Sequence, residues 1–270
     1  MSDTPRLPGA CDCHVHIYEP VRFPLKQVIG AFTWCDYLAM QNALGLDRVV
    51  LVQANGYGFD NSCLLDALAQ AGDRARAIAV VPADVEDAQL QVLHAAGVRG
   101  VRFMLIPGGG GALGWDALET IAARIAPLGW VINLQLDSRG LAEHESRLRA
   151  LPCRLSIDHT GKFLEPVTPG HEGFLALMRL LDGGNTWVKV SAPYETSKTG
   201  APAYEDVSRL ARTLVSAFPD RCLWASNWPH PGRNPLPEDA PLLALLNDWA
   251  PRAADRVKIL VDNPAALYGW

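Results

Sequence analysis

At 270 residues and 49% apolar content, the chain can bury a full core and matches the size of one α/β barrel rather than two domains. A net charge of −5, without a run of Lys or Arg or a basic stripe, excludes the electrostatic footprint of a nucleic-acid binder, although a local cation can still hold an anion. The opening MSDTPRLPGA has no apolar signal core and no stretch reaches the roughly 18 uninterrupted apolar residues of a membrane span, so a cytoplasmic protein with no membrane partner is expected.

In chain order, short apolar runs rich in Val, Ile and Leu alternate with stretches of helical spacing. Strands are predicted near 10–18 (ACDCHVHIY), 48–55, 76–83, 98–105, 130–137, 154–161, 186–193 and 222–230 (CLWASNWPH). Helices are predicted at about 34–44, 60–72, 86–96, 115–127, 140–150, 171–182, 203–217 and 238–249. In the second, Asp60 is expected to cap the start and Gly72 to take a left-handed stop. Strand then helix, eight times, predicts a single (β/α)8 TIM barrel over residues 1–270. The alternative, an open doubly wound sheet, lacks a GxGxxG after the first strand. PGGGGALG at 107–114 lacks the GK[ST] ending of a phosphate loop and reads as a loop over the barrel mouth, while LVDNPAALYGW reads as a closing helical turn packed on the barrel. Cys11, Cys13, Cys35, Cys63, Cys153 and Cys222 form no CxxC pair and read as reduced thiols.

Barrel enzymes place their chemistry at the carboxyl ends of strands. His14 and His16, two apart on strand one, can point into one mouth because side chains alternate with period two. His159 and Lys162 follow strand six, and Asn227 and His230 end strand eight. Arg102 on strand four suits a substrate carboxylate, with Arg99 the weaker candidate. Gln53, Asn55 and Gln135 offer amide donors and acceptors to a hydroxylated ligand, and Tyr194 and Glu195 after strand seven complete the expected binding set. His94 and His144 fall on helix faces expected to be solvated, and His171 at a helix start.

DCHVH, DHTGKF and WASNWPH, in that order, resemble the amidohydrolase superfamily of (β/α)8 enzymes, and more narrowly the branch holding 2-pyrone-4,6-dicarboxylate lactonase and D-galactarolactone isomerase. The resemblance runs from DCHVH to NPAALYG and implies a small carboxylated lactone as substrate. Metal-dependent superfamily members hold zinc with the strand-one histidines, a strand-four Lys or Glu and a strand-eight aspartate. This branch works without metal, which implies no cofactor here. If zinc is present, His14, His16 and His159 would hold it, because the amide of Asn227 is a poor ligand. The lactonases typically carry DH.GR, YR and DWPH where this chain has Lys162, Glu195 and Asn227, and all three departures look like the isomerase side.

Asn227 stands where a lactonase aspartate would deprotonate water, and an amide cannot take that proton. A lactone carrying its own hydroxyl needs no external water, because the hydroxyl can attack with a large effective molarity. The expected activity is therefore a 1,5- to 1,4-ring isomerisation of a galactarolactone-like sugar acid. His14, His16 and His159 are expected to polarise the carbonyl, Asn227 to orient the hydroxyl, His230 to move a proton, and Arg102 and Lys162 to bind the carboxylate. A hydrolase using another base and a non-catalytic sugar-acid-binding barrel are the alternatives.

Overall fold

The eight apolar runs form the strands β1 (Cys11–Val15), β2 (Arg48–Val52), β3 (Ala75–Ala79), β4 (Val98–Met104), β5 (Val131–Gln135), β6 (Arg154–Ile157), β7 (Thr186–Ser191) and β8 (Cys222–Ala225) in a computed structural model that describes residues 7–25 and 30–270. They pair in parallel and in chain order. Each strand is shorter than its apolar run because its last residues leave the ladder and turn across the barrel mouth. The first six residues of the opening MSDTPRLPGA lie outside the described residues.

The helices alternate with the strands: α1 (Trp34–Leu44), α2 (Ser62–Ala71), α3 (Asp87–Ala96), α4 (Leu118–Ile125), α5 (Leu141–Arg149), α6 (Glu172–Asp182), α7 (Glu205–Ala217) and α8 (Asp239–Ala244). Local chemistry explains their ends. Thr33 and Asp36 form a capping box on α1, and Asp60 accepts the Ser62 amide at 3.0 Å ahead of α2. Gly72 has positive φ but ψ −144°, so α2 ends in a 3-10 turn through Arg74 rather than the expected left-handed stop. The stretch predicted as one helix over 238–249 divides into α8 and Leu246–Trp249. The apolar stripes of the helices, such as Phe174, Leu177, Leu180 and Leu181 of α6, pack in the main core around the strands. Full burial of each such side chain contributes about 1.5–3 kcal/mol.

Closure runs through a parallel bridge between Val15 and Trp228, with the His16 amide donating to Trp228 O at 2.9 Å and the Asn227 amide to His14 O at 3.0 Å. One irregularity positions the site. Against β2, β1 spends three residue steps from Asp12 to Val15 where β2 spends two, from Val49 to Leu51. The extra residue is a bulge, and it resets which side chains face inward. Cys11 and Cys13 pack inside with Val50, Ile78, Val131 and Leu223, whereas beyond the bulge it is His14 that reaches the interior. Asp12 faces outward, against Ser226 and Tyr37 of α1. Leu267 and Tyr268 plug the apolar floor from the C-terminal helical turn Asn263–Tyr268, so the tail packs on the barrel as the sequence suggests. All six cysteines are free, Cys35 exposed and the others buried. Among the described residues, no helix is long and apolar enough to cross a membrane.

Candidate active site

The strand ends converge on a cavity of about 290 Å³. His16 and Tyr18 reach it from β1, Arg102 from β4, Gln135 from β5, His159 and Lys162 after β6, Glu195 after β7 and Asn227 after β8. The backbone that presents them is unusual. His159, Thr160, Lys162, Ala192, Asn227 and His230 all have left-handed φ between 44° and 63°, a region costly for residues with a Cβ. Gly161, between two of them, has φ +86° and leaves no room for a Cβ, which would lie 2.7 Å from the Phe163 ring. Strained backbone concentrated around one concavity marks a functional site more specifically than any single side chain here.

Below the cavity lies a polar stack with no solvent exposure. The Lys189 ammonium from β7 lies 3.1 Å from His14 Nδ1 and 3.0 Å from Asp158 Oδ1, and donates to Asn133 Oδ1. Asn133 Nδ2 donates to Asp158 Oδ2 at 2.8 Å, and Ser156 to Asn133 Oδ1 at 3.2 Å. Burial alone would push the Asp158 carboxyl up, yet Lys189 and His14 together hold it well below the usual carboxylate range. Burial lowers both His14 and His16 well below the ordinary imidazole value, with Lys189 and Arg102 adding to it, and lowers His159 to about 4. All three rings are therefore neutral at pH 7. His16 Nδ1 lies 2.7 Å from Val52 O, an acceptor only, so that nitrogen carries the proton and Nε2 carries the lone pair. His14 Nε2 meets His16 Nε2 at 3.1 Å.

A second network lines the rim. Lys162 pairs with Glu195 Oε2, while Asn227 Nδ2 donates to Glu195 Oε1 and to Tyr194 Oη, each at 3.0 Å. With its nitrogen engaged twice, Asn227 keeps its oxygen as a free acceptor. Tyr194 reaches His230 Nδ1 at 2.7 Å, and His230 Nε2 lies 3.1 Å from Asp239 Oδ1. Burial would raise the Glu195 carboxyl, but His159 and Lys162 keep it below its ordinary value, so it is ionised at pH 7. Arg102 donates to Gln53 O at 2.7 Å and Gln135 Oε1 at 2.9 Å, and its buried Nε has no partner.

Of the residues selected from the sequence, His16, Arg102, Asn55, Gln135, His159, Lys162, Glu195 and Asn227 line the cavity together. His14 lies beneath it, with no exposed surface. Tyr194 and His230 lie behind Asn227. Gln53 turns its amide to the loop carbonyls of Gly58 and Asp60, and Asn55 pins the glycine-rich loop through Gly109 O at 2.6 Å. Arg99 donates to His94 O and Val98 O. His94 is not on a solvated face: it accepts the Trp130 indole N–H at 2.8 Å. His144 likewise stacks on Trp115, with ring centroids 4.0 Å apart, and His171 caps α6 through Gly173 N. Sequence reasoning missed Tyr18, Asp158, Asn133 and Lys189. Tyr18 lines the cavity, and burial pushes its phenol up to about 12, so it stays a proton donor.

Among the described residues, the donor atoms that cluster closely enough for a metal are those of His14, Asp158 and His159, all within 4.8 Å of one another, and not the set His14, His16 and His159 expected from the strand ends. A dication there would need the space beside His14 Nδ1 and Asp158 Oδ1 that the Lys189 ammonium already holds. As arranged, this donor set does not fit zinc.

Comparison with known proteins agrees with the geometry. The profile of the amidohydrolase family matches residues 11–270. The chain is 39% identical to a 2-pyrone-4,6-dicarboxylate hydrolase of Comamonas testosteroni over 97% of this chain and 91% of the relative. It is 34% identical to a D-galactarolactone isomerase of Agrobacterium fabrum over 96% of this chain and 91% of the relative. An apo crystal structure of an Agrobacterium tumefaciens protein superposes with a TM-score of 0.91 at 33% identity, covering 98% of this chain and 97% of that one.

Proposed function

The chain belongs to the amidohydrolase family of enzymes, and from that premise we propose that it isomerises a carboxylated sugar-acid lactone, galactarolactone-like, from the 1,5- to the 1,4-ring. The observation that carries this reading is the amide of Asn227 at the cavity, its nitrogen tied to Tyr194 and Glu195 and its oxygen left to accept. An amide oxygen orients a substrate hydroxyl but cannot activate water by taking its proton.

In this mechanism the substrate carboxylate binds Arg102, a buried cation whose Nε is unpaired in the cavity wall. The free hydroxyl donates to Asn227 Oδ1 and attacks the lactone carbonyl within the same molecule. Tyr18, held protonated, donates to the oxyanion that develops. As the hydroxyl attacks, its proton turns from Asn227 Oδ1 to the neutral imidazole of His159, which lines the cavity and whose Nδ1 is engaged by Ser191 Oγ at 3.0 Å, and is returned to the departing ring oxygen. Atoms balance without water: one ester C–O bond forms and another breaks.

A second reading, lactone hydrolysis, draws support from Glu195, an ionised carboxylate in the cavity wall, and from the hydrolase among the relatives. Against it, a carboxylate held low by Lys162 is a weak base. A carbon NMR time course with galactaro-1,5-lactone decides. The 1,4-lactone is expected ahead of the open diacid. Diacid formed directly and faster than the blank would establish the hydrolase reading instead.

A further inference from the structure

The buried stack beneath the cavity uses a lysine that the mechanism above leaves idle. Lys189 is the central inward residue of a strand otherwise reading TWV.VS, and it has no solvent exposure. A buried lysine surrounded only by protein must have a defined arrangement of its hydrogens, and here the partners determine it.

The assignment starts from a group with no choice. The Val52 carbonyl only accepts, so His16 carries its proton on Nδ1 and a lone pair on Nε2. His14 Nε2 faces that lone pair at 3.1 Å, and two bare nitrogens would repel, so the proton of His14 sits on Nε2. His14 Nδ1 is then bare and must accept. Two groups lie within reach of it: the Asp158 carboxylate at 3.3 Å, which has no proton to give, and the Lys189 ammonium at 3.1 Å, which has three. The opposite tautomer would turn the His14 Nδ1–H toward the Lys189 N–H and leave the two Nε2 lone pairs facing each other. The Nε2–H tautomer avoids the facing lone pairs between the rings, and the Lys189 ammonium, which also pairs with Asp158 Oδ1 at 3.0 Å, supplies the donor that Nδ1 then needs.

We infer that Lys189 is a positioning residue which fixes His14 as its Nε2–H tautomer, so that His14 hands a hydrogen bond upward to His16 and orients the ring that faces the substrate. Lys189 itself touches nothing in the cavity and acts through His14. Asn133 and Asp158 hold the ammonium in place from the other side, which makes the chain Asn133 and Asp158, Lys189, His14, His16, Val52 a directed series of hydrogen bonds. The inference concerns the protonation of the site and holds for either lactone reaction.

Nitrogen NMR of the full chain labelled with 15N-histidine reads the tautomers directly, the two rings being assigned through His14→Gln and His16→Gln. In the unsubstituted protein at pH 7 the expected spectrum shows His14 protonated on Nε2 with a bare Nδ1, and His16 the reverse. In Lys189→Met, provided circular dichroism shows the fold retained, the bare Nδ1 loses its donor and faces the Asp158 carboxylate alone at 3.3 Å, so a measurable fraction of His14 is expected to move its proton to Nδ1 against the opposing pull of the His16 lone pair. A His14 carrying its proton on Nδ1, or carrying two, in the unsubstituted protein would overturn the inference. So would a folded Lys189→Met whose His14 tautomer is unchanged. If that variant does not fold, the spectrum of the unsubstituted protein decides alone.

Discussion

Asn227→Asp tests the proposed reaction at its centre, and the structure says that the effect will depend on pH. Asn227 Nδ2 donates to Glu195 Oε1 at 3.0 Å, so an aspartate there would bring two carboxylates to that separation. Two unit charges about 3 Å apart repel by roughly 5 kcal/mol at an effective dielectric constant of about 20. That is roughly four pKa units before relaxation. Lys162, on the other side of Glu195, offsets part of this, and a rise of about two units to near pH 6 is the working expectation. The new carboxyl is therefore largely protonated in mild acid and a competent base above neutrality. A positioned base contributes about 10² to 10⁴ in rate, or roughly 3–5 kcal/mol of barrier. The ratio of diacid to 1,4-lactone should rise by about 10² at pH 8 and by only about a tenth of that at pH 5, where roughly nine in ten of the new carboxyls are protonated. Carbon NMR gives the ratio, and reaction in 18O-water followed by mass spectrometry confirms that the diacid took its oxygen from solvent. Adding Glu195→Gln removes the like-charge neighbour and should bring hydrolysis on at lower pH. An unchanged product ratio at pH 8 in both variants would refute the argument that the amide is what suppresses hydrolysis.

Tyr18→Phe removes the proposed oxyanion donor and should lower kcat about 100-fold with little change in KM; steady-state kinetics that show only a KM effect would assign Tyr18 to ground-state binding. Lys162→Met leaves the nearly buried Glu195 carboxylate without its cation and should cost about 3 kcal/mol of stability, measured by urea unfolding. Asp12 gives a pH prediction for the fold itself: burial, partly offset by Ser226 and His14, raises its carboxyl to about 6 from 3.8. The native state then holds this proton more tightly than the unfolded chain, so the stabilisation is full below about pH 4 and is lost as pH rises through 6, amounting to about 3 kcal/mol. Urea unfolding from pH 4 to 7 should show that component in the unsubstituted protein and not in Asp12→Asn.

The strand-helix order of the barrel and most of the cavity wall were legible because they depend on local pattern: apolar runs set the strands, and polar residues after each run mark the mouth. What was not legible depends on register and depth. Period two correctly puts His14 and His16 on one face, but it also assigns Asp12 to that face. The bulge between Asp12 and Val15 sends Asp12 outward, and an inserted residue in a ladder has no sequence signature here. The same limit hid the depth of His14, since alternation fixes the face of a residue and not its height along the barrel axis. Lys189 did carry a signal: a cation inside an apolar strand needs a buried partner, and Asp158 stands just before His159 in IDHTG. Tyr18 read as the aromatic end of strand one and showed its cavity role only once the chain turned across the mouth.

The geometry also turns three separate departures from the lactonase pattern into one. Lys162, Glu195 and Asn227 come from three different strand ends, yet Glu195 touches both of the others, one through each carboxylate oxygen. Each identity constrains the next. With a carboxylate at 195, position 227 must present a donor, which an amide does and an ionised aspartate does not. The same carboxylate, largely removed from water, needs the cation at 162. A lactonase-like Arg, Arg, Asp arrangement satisfies the same logic with the charges moved: the guanidinium at 195 would pair with the aspartate and leave the cation at 162 free for a second substrate carboxylate. Converting one residue at a time should therefore be worse than converting all three, and the triple variant Lys162→Arg, Glu195→Arg, Asn227→Asp should recover more hydrolysis than the sum of its single steps predicts. Additive effects in that cycle, measured as diacid formation, would show that the three positions act independently despite their contacts.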